Sequence, residues 1–125
     1  MIVGIGIDLV DIPRIERVLA RHGERARERL FTGGEMEYCN TAARPAESFA
    51  ARFAAKEAFF KAVRTGWGQG VNWTDVEVVS SPEGAPGLRL HGGARVRAEA
   101  LGVRGVHLSL THTSDVAAAF LILEG

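Results

Sequence analysis

The sequence predicts a small α+β protein, and three observations carry that expectation. Strand-like and helix-like stretches follow one another in mixed order. The strands late in the chain are neighbours joined by connections that suit antiparallel pairing. One stretch, residues 46–64, holds the strongest helical repeat of the chain. The architecture expected is a small, mainly antiparallel sheet packed on that long central helix. At 125 residues, 46% hydrophobic and 24% charged, the chain is sized for one domain, 1–125, around a single core.

Taken in order, residues 1–10 alternate as a strand. Asp11 is placed to cap the helix that follows, and Pro13 is tolerated in its first turn. That helix runs towards Phe31, loosened at Gly23, and Thr32-Gly33-Gly34 breaks it. A short helical turn is expected over 35–40. Pro45 ends a loop before the helix of 46–64, and "TGWGQGVNW" (65–73) reads as a glycine-rich loop. Residues 75–80 and 87–91 form a strand pair joined through "SPEGAP", which holds two prolines and a glycine. A short helix over 93–101 leads to a terminal hairpin, 106–113 and 116–123, turned at Ser114-Asp115.

Composition narrows the function classes. No apolar run reaches membrane-spanning length, and the first residues read as a strand without a signal-peptide cleavage pattern. The single cysteine, Cys39, excludes an internal disulfide and a cysteine-rich zinc site. A cytoplasmic protein with no membrane partner is therefore expected. The formal net charge is zero, so the whole chain does not look like a polyanion binder. The charge is nevertheless uneven. Arg14, Arg17, Arg21, Arg25, Arg27 and Arg29 stand against Glu16, Glu24 and Glu28, leaving that segment basic. On a continuous helix Arg14, Arg17, Arg21 and Arg25 fall within an arc of about 80°. Ile15, Leu19, Ala26 and Leu30 fall on another face suited to the core. The basic face is either solvated surface or a dock for an acidic partner. Nucleic acid is disfavoured, because net charge is zero and no surface aromatics are interleaved with the arginines.

"GIGIDLVDI" (4–12) places a carboxylate in a strand with two glycines. Val3, Ile5, Ile7 and Leu9 point one way, and Gly4, Gly6 and Asp8 the other. The apolar set is expected to face the core, leaving Asp8 on a glycine face that a ligand or another backbone approaches closely. A strand-end aspartate capping a nearby turn is the alternative. The run is not a dinucleotide fingerprint, since Leu9 stands where a third glycine is needed. In "RFAAKEAFFKA" (52–62), Phe49, Phe53 and Phe60 lie within about 40° and make a core stripe. Glu57 and Lys61 stack four apart beside Ala50 and Ala54, a column that leaves room for a bound molecule. The alternative is a routine exposed ion pair. Lys56 falls inside the phenylalanine arc, so it either snorkels or meets a buried carboxylate. Asp8 and Glu57 with a lysine beside them suit Mg²⁺ holding a phosphate. In "HLSLTHT" (107–113), His107, Ser109, Thr111 and Thr113 share one face and Leu108, Leu110 and His112 the other. The two histidines therefore cannot clamp one zinc. The hydroxyl row suits phosphate or ribose contacts, or is simply solvated.

"GIGIDLVDIPRI", "FTGGEMEYC", "RFAAKEAFFKA" and "HLSLTHT…AAA" occur in that order across nearly the whole chain. Together they resemble the holo-acyl-carrier-protein synthases, the small bacterial 4′-phosphopantetheinyl transferases. The resemblance implies the 4′-phosphopantetheinyl transferase-like fold and transfer of the 4′-phosphopantetheine arm of coenzyme A to a serine of apo-acyl carrier protein. Adenosine 3′,5′-bisphosphate leaves, and the product serves fatty acid biosynthesis. It implies that Asp8 and Glu57 hold Mg²⁺ and that Lys61 meets the coenzyme A phosphates. It implies further that Arg52, Pro86, Ser109 and His112 contact coenzyme A, and that Arg14, Arg17, Arg21 and Arg25 dock the acidic carrier. The small members are homotrimers with coenzyme A between subunits, and the apolar "VAAAFLILE" agrees with a strand covered on two sides. A coenzyme A or nucleotide sensor without turnover remains the alternative.

Overall fold

In the computed structural model, which describes residues 1–65 and 69–125, the predicted elements recur in order. Residues 66–68 of the glycine-rich loop lie outside the described residues. Strand β1 (Ile2–Asp11) leads into helix α1 (Ile12–Leu30), α2 (Gly33–Asn40) and α3 (Pro45–Ala62). A 3₁₀ turn (Trp73–Asp75) opens strand β2 (Val76–Ser80), followed by β3 (Pro86–Leu90), α4 (Gly92–Ala100), β4 (Gly105–His112) and β5 (Val116–Glu124). The strands form two antiparallel sheets, β1-β5-β4 and β2-β3.

Local chemistry sets the element ends. Asp11 caps α1 by accepting a hydrogen bond from the Arg14 amide at 3.2 Å, with Pro13 in the first turn as expected. Thr32, Gly33 and Gly34 do not simply break the chain; they begin the next helix. The Thr32 hydroxyl accepts from the Glu35 amide, and the Glu35 carboxylate accepts from the Thr32 amide at 2.9 Å. This reciprocal cap places both glycines inside the first turn of α2. Gly23 takes φ 60°, a left-handed value, and kinks α1. The expected single arc of four arginines is therefore interrupted between Arg21 and Arg25.

The β1-β5-β4 sheet packs one face on α3. The predicted alternation of β1 holds, but its orientation is reversed. Gly4, Gly6 and Asp8 lie on the helix side, while Ile5, Ile7 and Leu9 are 55%, 58% and 69% exposed. Val3 is partly buried. The reason is close approach: a Cβ on Gly6 would stand 1.8 Å from the Ala58 carbonyl oxygen, and one on Gly4 2.3 Å from that of Ala62. Glycines opposite alanines let strand and helix backbones nearly touch. Ala50, Ala54, Ala55 and Ala58 are all fully buried, so the space beside Ala50 and Ala54 is filled by the protein itself. Inward residues of β5 (Ala117, Ala119, Leu121 and Leu123) complete the core with Phe31, Phe49 and Phe59. On the outer face Ile7 pairs with Phe120, and Phe120 with Ser109. The far side of β5 is thus uncovered within the chain.

Candidate functional site

Asp8 is brought to α3 by the same glycines that draw β1 inward. It lies near the end of the strand, on the helix side, opposite Ala119 of β5. Lys61 reaches across from α3 and donates to Asp8 Oδ1 at 2.9 Å and to the Ile7 carbonyl at 2.9 Å. Its ion-pair partner is therefore on β1 rather than Glu57 one turn back. Asp8 and Glu57 line one cleft of about 360 Å³, with Arg14, Leu30 and Phe53 among its walls. Glu57 also borders a second opening of about 500 Å³ shared with Lys61, Arg64 and Trp73. Burial pushes the Glu57 carboxyl above its ordinary range, and the Asp8 charge adds to this while Lys61 opposes it. Asp8, Glu57 and Asp11 thus share the cleft with the Arg14 guanidinium, and the Lys61 ammonium sits beside it on Asp8, a donor set suited to a divalent cation with phosphate oxygens. Among the described residues no cluster of three or more His, Cys, Asp or Glu is placed to hold a metal.

A second polar group lies about one and a half turns back along α3. Arg52 is buried, donates from Nη1 to Ser48 Oγ at 3.1 Å and lies over the Tyr38 ring at 4.1 Å. Its Nε is buried with no hydrogen-bond partner among the described residues. His112 Nε2 stands 3.2 Å from Glu47 Oε1, and Arg44 Nη1 stands 2.7 Å from Glu47 Oε2. Arg44 and His112 therefore meet on Glu47 at the start of α3, and Arg52 lies about two turns further along the helix. His107 pairs instead with Glu124 at 3.0 Å, on the other face of β4, as the alternation required. Ser109 shares that outer face, away from Asp8. Pro86 opens β3 in the separate two-stranded sheet. Neither is brought to the Asp8–Glu57 cleft within one chain.

Arg14, Arg17, Arg21 and Arg25 are all exposed. Arg14 lines the carboxylate cleft, and with Arg17 and Arg21 it borders an adjoining groove. Arg25, beyond the Gly23 kink, borders a different cleft with Ala26, Leu30 and Trp73.

Sequence reasoning left Lys56 with two alternatives, and the structure selects one. Lys56 and Glu35 are both fully buried and paired at 2.7 Å. The "TGGE" capping signature was the available pointer to Glu35. Glu47 and Tyr38, which surround His112 and Arg52, were missed; their contacts cross between elements and leave no spacing signal.

Known proteins similar to the chain identify its family. The sequence profile of the 4′-phosphopantetheinyl transferase superfamily matches residues 4–120. A holo-[acyl-carrier-protein] synthase of Solibacter usitatus is 48% identical over 124 residues, covering 99% of both chains. That of Methylobacterium sp. (strain 4-46) is 54% identical over 128 residues, covering 99% of this chain and 95% of its own. The crystal structure of the Neisseria meningitidis synthase superposes with a TM-score of 0.92 at 34% identity over the full length of both. The Helicobacter pylori synthase in complex with coenzyme A gives 0.85 at 29% identity, covering 96% of this chain and 99% of its own.

Proposed function

The chain belongs to the 4′-phosphopantetheinyl transferase superfamily, and we propose that Asp8, Glu57 and Lys61 form its reacting centre. The reaction transfers the 4′-phosphopantetheine arm of coenzyme A to a serine of apo-acyl carrier protein. The serine oxygen bonds to the β-phosphorus of coenzyme A, the bond to the α-side oxygen breaks, and adenosine 3′,5′-bisphosphate leaves with the electron pair. The observation that carries this reading is the convergence of Asp8 and Glu57 on one cleft beside Lys61 and Arg14.

Asp8 and Glu57 would hold Mg²⁺ there, leaving positions for phosphate oxygens and water. When bound, the ion neutralises the pyrophosphate and polarises the phosphoryl group under attack. Lys61, now on Asp8, is within reach of the same phosphates and shares the charge that develops on the leaving group. The serine proton passes to Glu57 or to a water that Glu57 orients. Arg52, further back along α3, and His112, at the end of β4, bind the remaining phosphate of coenzyme A. The unpartnered Nε of Arg52 supports this role. Arg14, at the cleft, and Arg17 and Arg21, along the adjoining groove, dock the acidic carrier, with Arg25 set apart by the kink.

The working form is proposed as a homotrimer with coenzyme A between neighbours. Supporting it is the outer sheet face, where Ile5, Ile7, Leu9 and Phe120 are exposed together. Ser109 lies on that face, so it and Pro86 would contact coenzyme A from a neighbouring subunit. Among the described residues no helix is long and apolar enough to cross a membrane, in keeping with the proposed cytoplasmic location.

The deciding experiment incubates the chain with an apo-acyl carrier protein, coenzyme A and Mg²⁺ and weighs the carrier by intact mass spectrometry. A gain of one phosphopantetheine arm, absent with chelator, is expected. Tight coenzyme A binding with no gain on several carriers would replace the transferase with a sensor.

A further inference from the structure

The reacting centre uses Glu57 and Lys61 of α3 but not Lys56, nor the aromatic wall beside it. Lys56 Nζ donates to Glu35 Oε1 at 2.7 Å, to the Trp73 carbonyl at 3.0 Å and to the Val76 carbonyl. Glu35 Oε1 also accepts from the Thr32 amide, and Oε2 accepts from the Val78 amide at 2.9 Å. Every proton of the ammonium and both carboxylate oxygens are engaged. The pair therefore ties α3 and the start of α2 to the backbone that carries Trp73.

The Trp73 side chain is held as firmly as its carbonyl. Its ring stacks on Phe53 at 5.0 Å and meets Phe60 edge-on at 5.0 Å. Trp73 is only half-buried. It borders the opening it shares with Glu57 and Lys61, and also a cleft of about 450 Å³ with Ala26, Leu30 and Arg25. Phe53, on which it stacks, lines the Asp8–Glu57 cleft. Phe53, Phe60, Trp73, Ala26 and Leu30 thus form an apolar strip that begins at the reacting centre, with Lys61 and Arg64 bordering one opening and His22, Arg25 and Arg29 the other.

We propose that Trp73 is a binding residue for the pantetheine arm of coenzyme A, and that Lys56, locked on Glu35, is the positioning residue that holds it in place. The inference rests on the transferase reading above. The arm leaves the reacting phosphorus uncharged and carries a gem-dimethyl group and methylenes. Such a chain gains from an aromatic wall, not from the arginines and histidine that suit phosphates. A buried, fully bonded ion pair adds little net stability but fixes geometry.

The test measures calorimetric affinity for coenzyme A and for adenosine 3′,5′-bisphosphate, which lacks the arm. Trp73→Ala should weaken coenzyme A binding about tenfold and leave the bisphosphate within about twofold, and Trp73→Phe should recover most of the loss. Lys56→Met, or Glu35→Gln with Lys56→Met where the single variant fails to fold, should show the same split at about three- to tenfold. Unchanged coenzyme A binding in Trp73→Ala, or equal loss of both ligands, overturns the arm site. Wild-type coenzyme A affinity in a folded Lys56 variant overturns the positioning role. So does a double variant that does not fold, which would assign the pair to stability alone. Wild-type protein that binds neither ligand would instead remove the transferase reading.

Discussion

Helix α3 carries two lysines that each meet a carboxylate from another element, and the two pairs differ in almost everything but charge. Lys56 and Glu35 are wholly buried, and each polar atom of the pair is spoken for by the other or by backbone. Lys61 and Asp8 are 53% and 16% exposed, at the edge of a cleft that also holds Glu57. Burial lowers the Lys56 ammonium from its ordinary value, against the pull of Glu35. A saturated pair has no valence left for a ligand and serves architecture. A pair with free lone pairs beside open space is available for chemistry. Hydrogen-bond saturation, more than residue type, separates the two roles.

The largest effect should come from emptying the open site. Asp8→Ala or Glu57→Ala should lower transfer at least a thousandfold, about 4 kcal/mol of transition-state stabilisation. The thermal transition of each variant should stay near that of wild type, because neither carboxylate holds core elements together. Near-normal arm transfer in either, read by carrier mass, would mean that the metal assignment is wrong.

Breaking the closed pair should act the other way round. Lys56→Met leaves Glu35 charged in the core and should cost about 3–5 kcal/mol of stability, measured by denaturant unfolding. Replacing both partners, Glu35→Gln with Lys56→Met, should restore much of that loss, since no orphaned charge remains. A single variant as stable as wild type would show that water enters the site and that the pair is not closed.

These roles were unequally legible in the sequence. Element order followed from glycine and proline placement, and the alternation along β1 was correct from Gly4 to Leu9, failing at Val3, where the strand register shifts. Its orientation was not, because the usual rule puts the more apolar face inward. Here Gly4 and Gly6 face alanines on α3, and backbone-to-backbone approach replaces side-chain burial. Asp8 therefore reaches Lys61 without any local signal of it. Strand parity and helical spacing singled out Asp8, Glu57 and Lys61 and the resemblance implied their roles, but only folding shows that Lys61 turns to β1 instead of along its own helix. The arginine face illustrates the opposite limit: helical arithmetic assumed an unbroken helix, and one left-handed glycine at position 23 divided it.

That division makes the arginines a finer probe of the open site's surroundings. Arg17→Glu with Arg21→Glu, which border only the adjoining groove, should raise the apparent KM for carrier protein about tenfold, near 1.4 kcal/mol, while the coenzyme A KM stays unchanged. Arg25→Glu, across the kink, should do less, and raising salt should shrink the wild-type advantage. An equal effect at Arg25 would mean that the carrier contacts both halves of α1.

The smallest stability effect should belong to Lys61, and it sharpens the contrast with Lys56 because the two substitutions are chemically identical. Lys61→Met removes an ammonium that donates to Asp8 and to the Ile7 carbonyl, just as Lys56→Met removes one that donates to Glu35 and to two carbonyls. Asp8, left behind, keeps solvent on its free oxygens, so the cost to folding should lie between about 0 and 1 kcal/mol. Transfer should nevertheless fall, because the ammonium is lost from the cleft where the leaving group's charge develops. A destabilisation by Lys61→Met as large as that by Lys56→Met would show that the Asp8 pair clamps β1 onto α3. The distinction between a closed and an open pair would then fail at its simplest point.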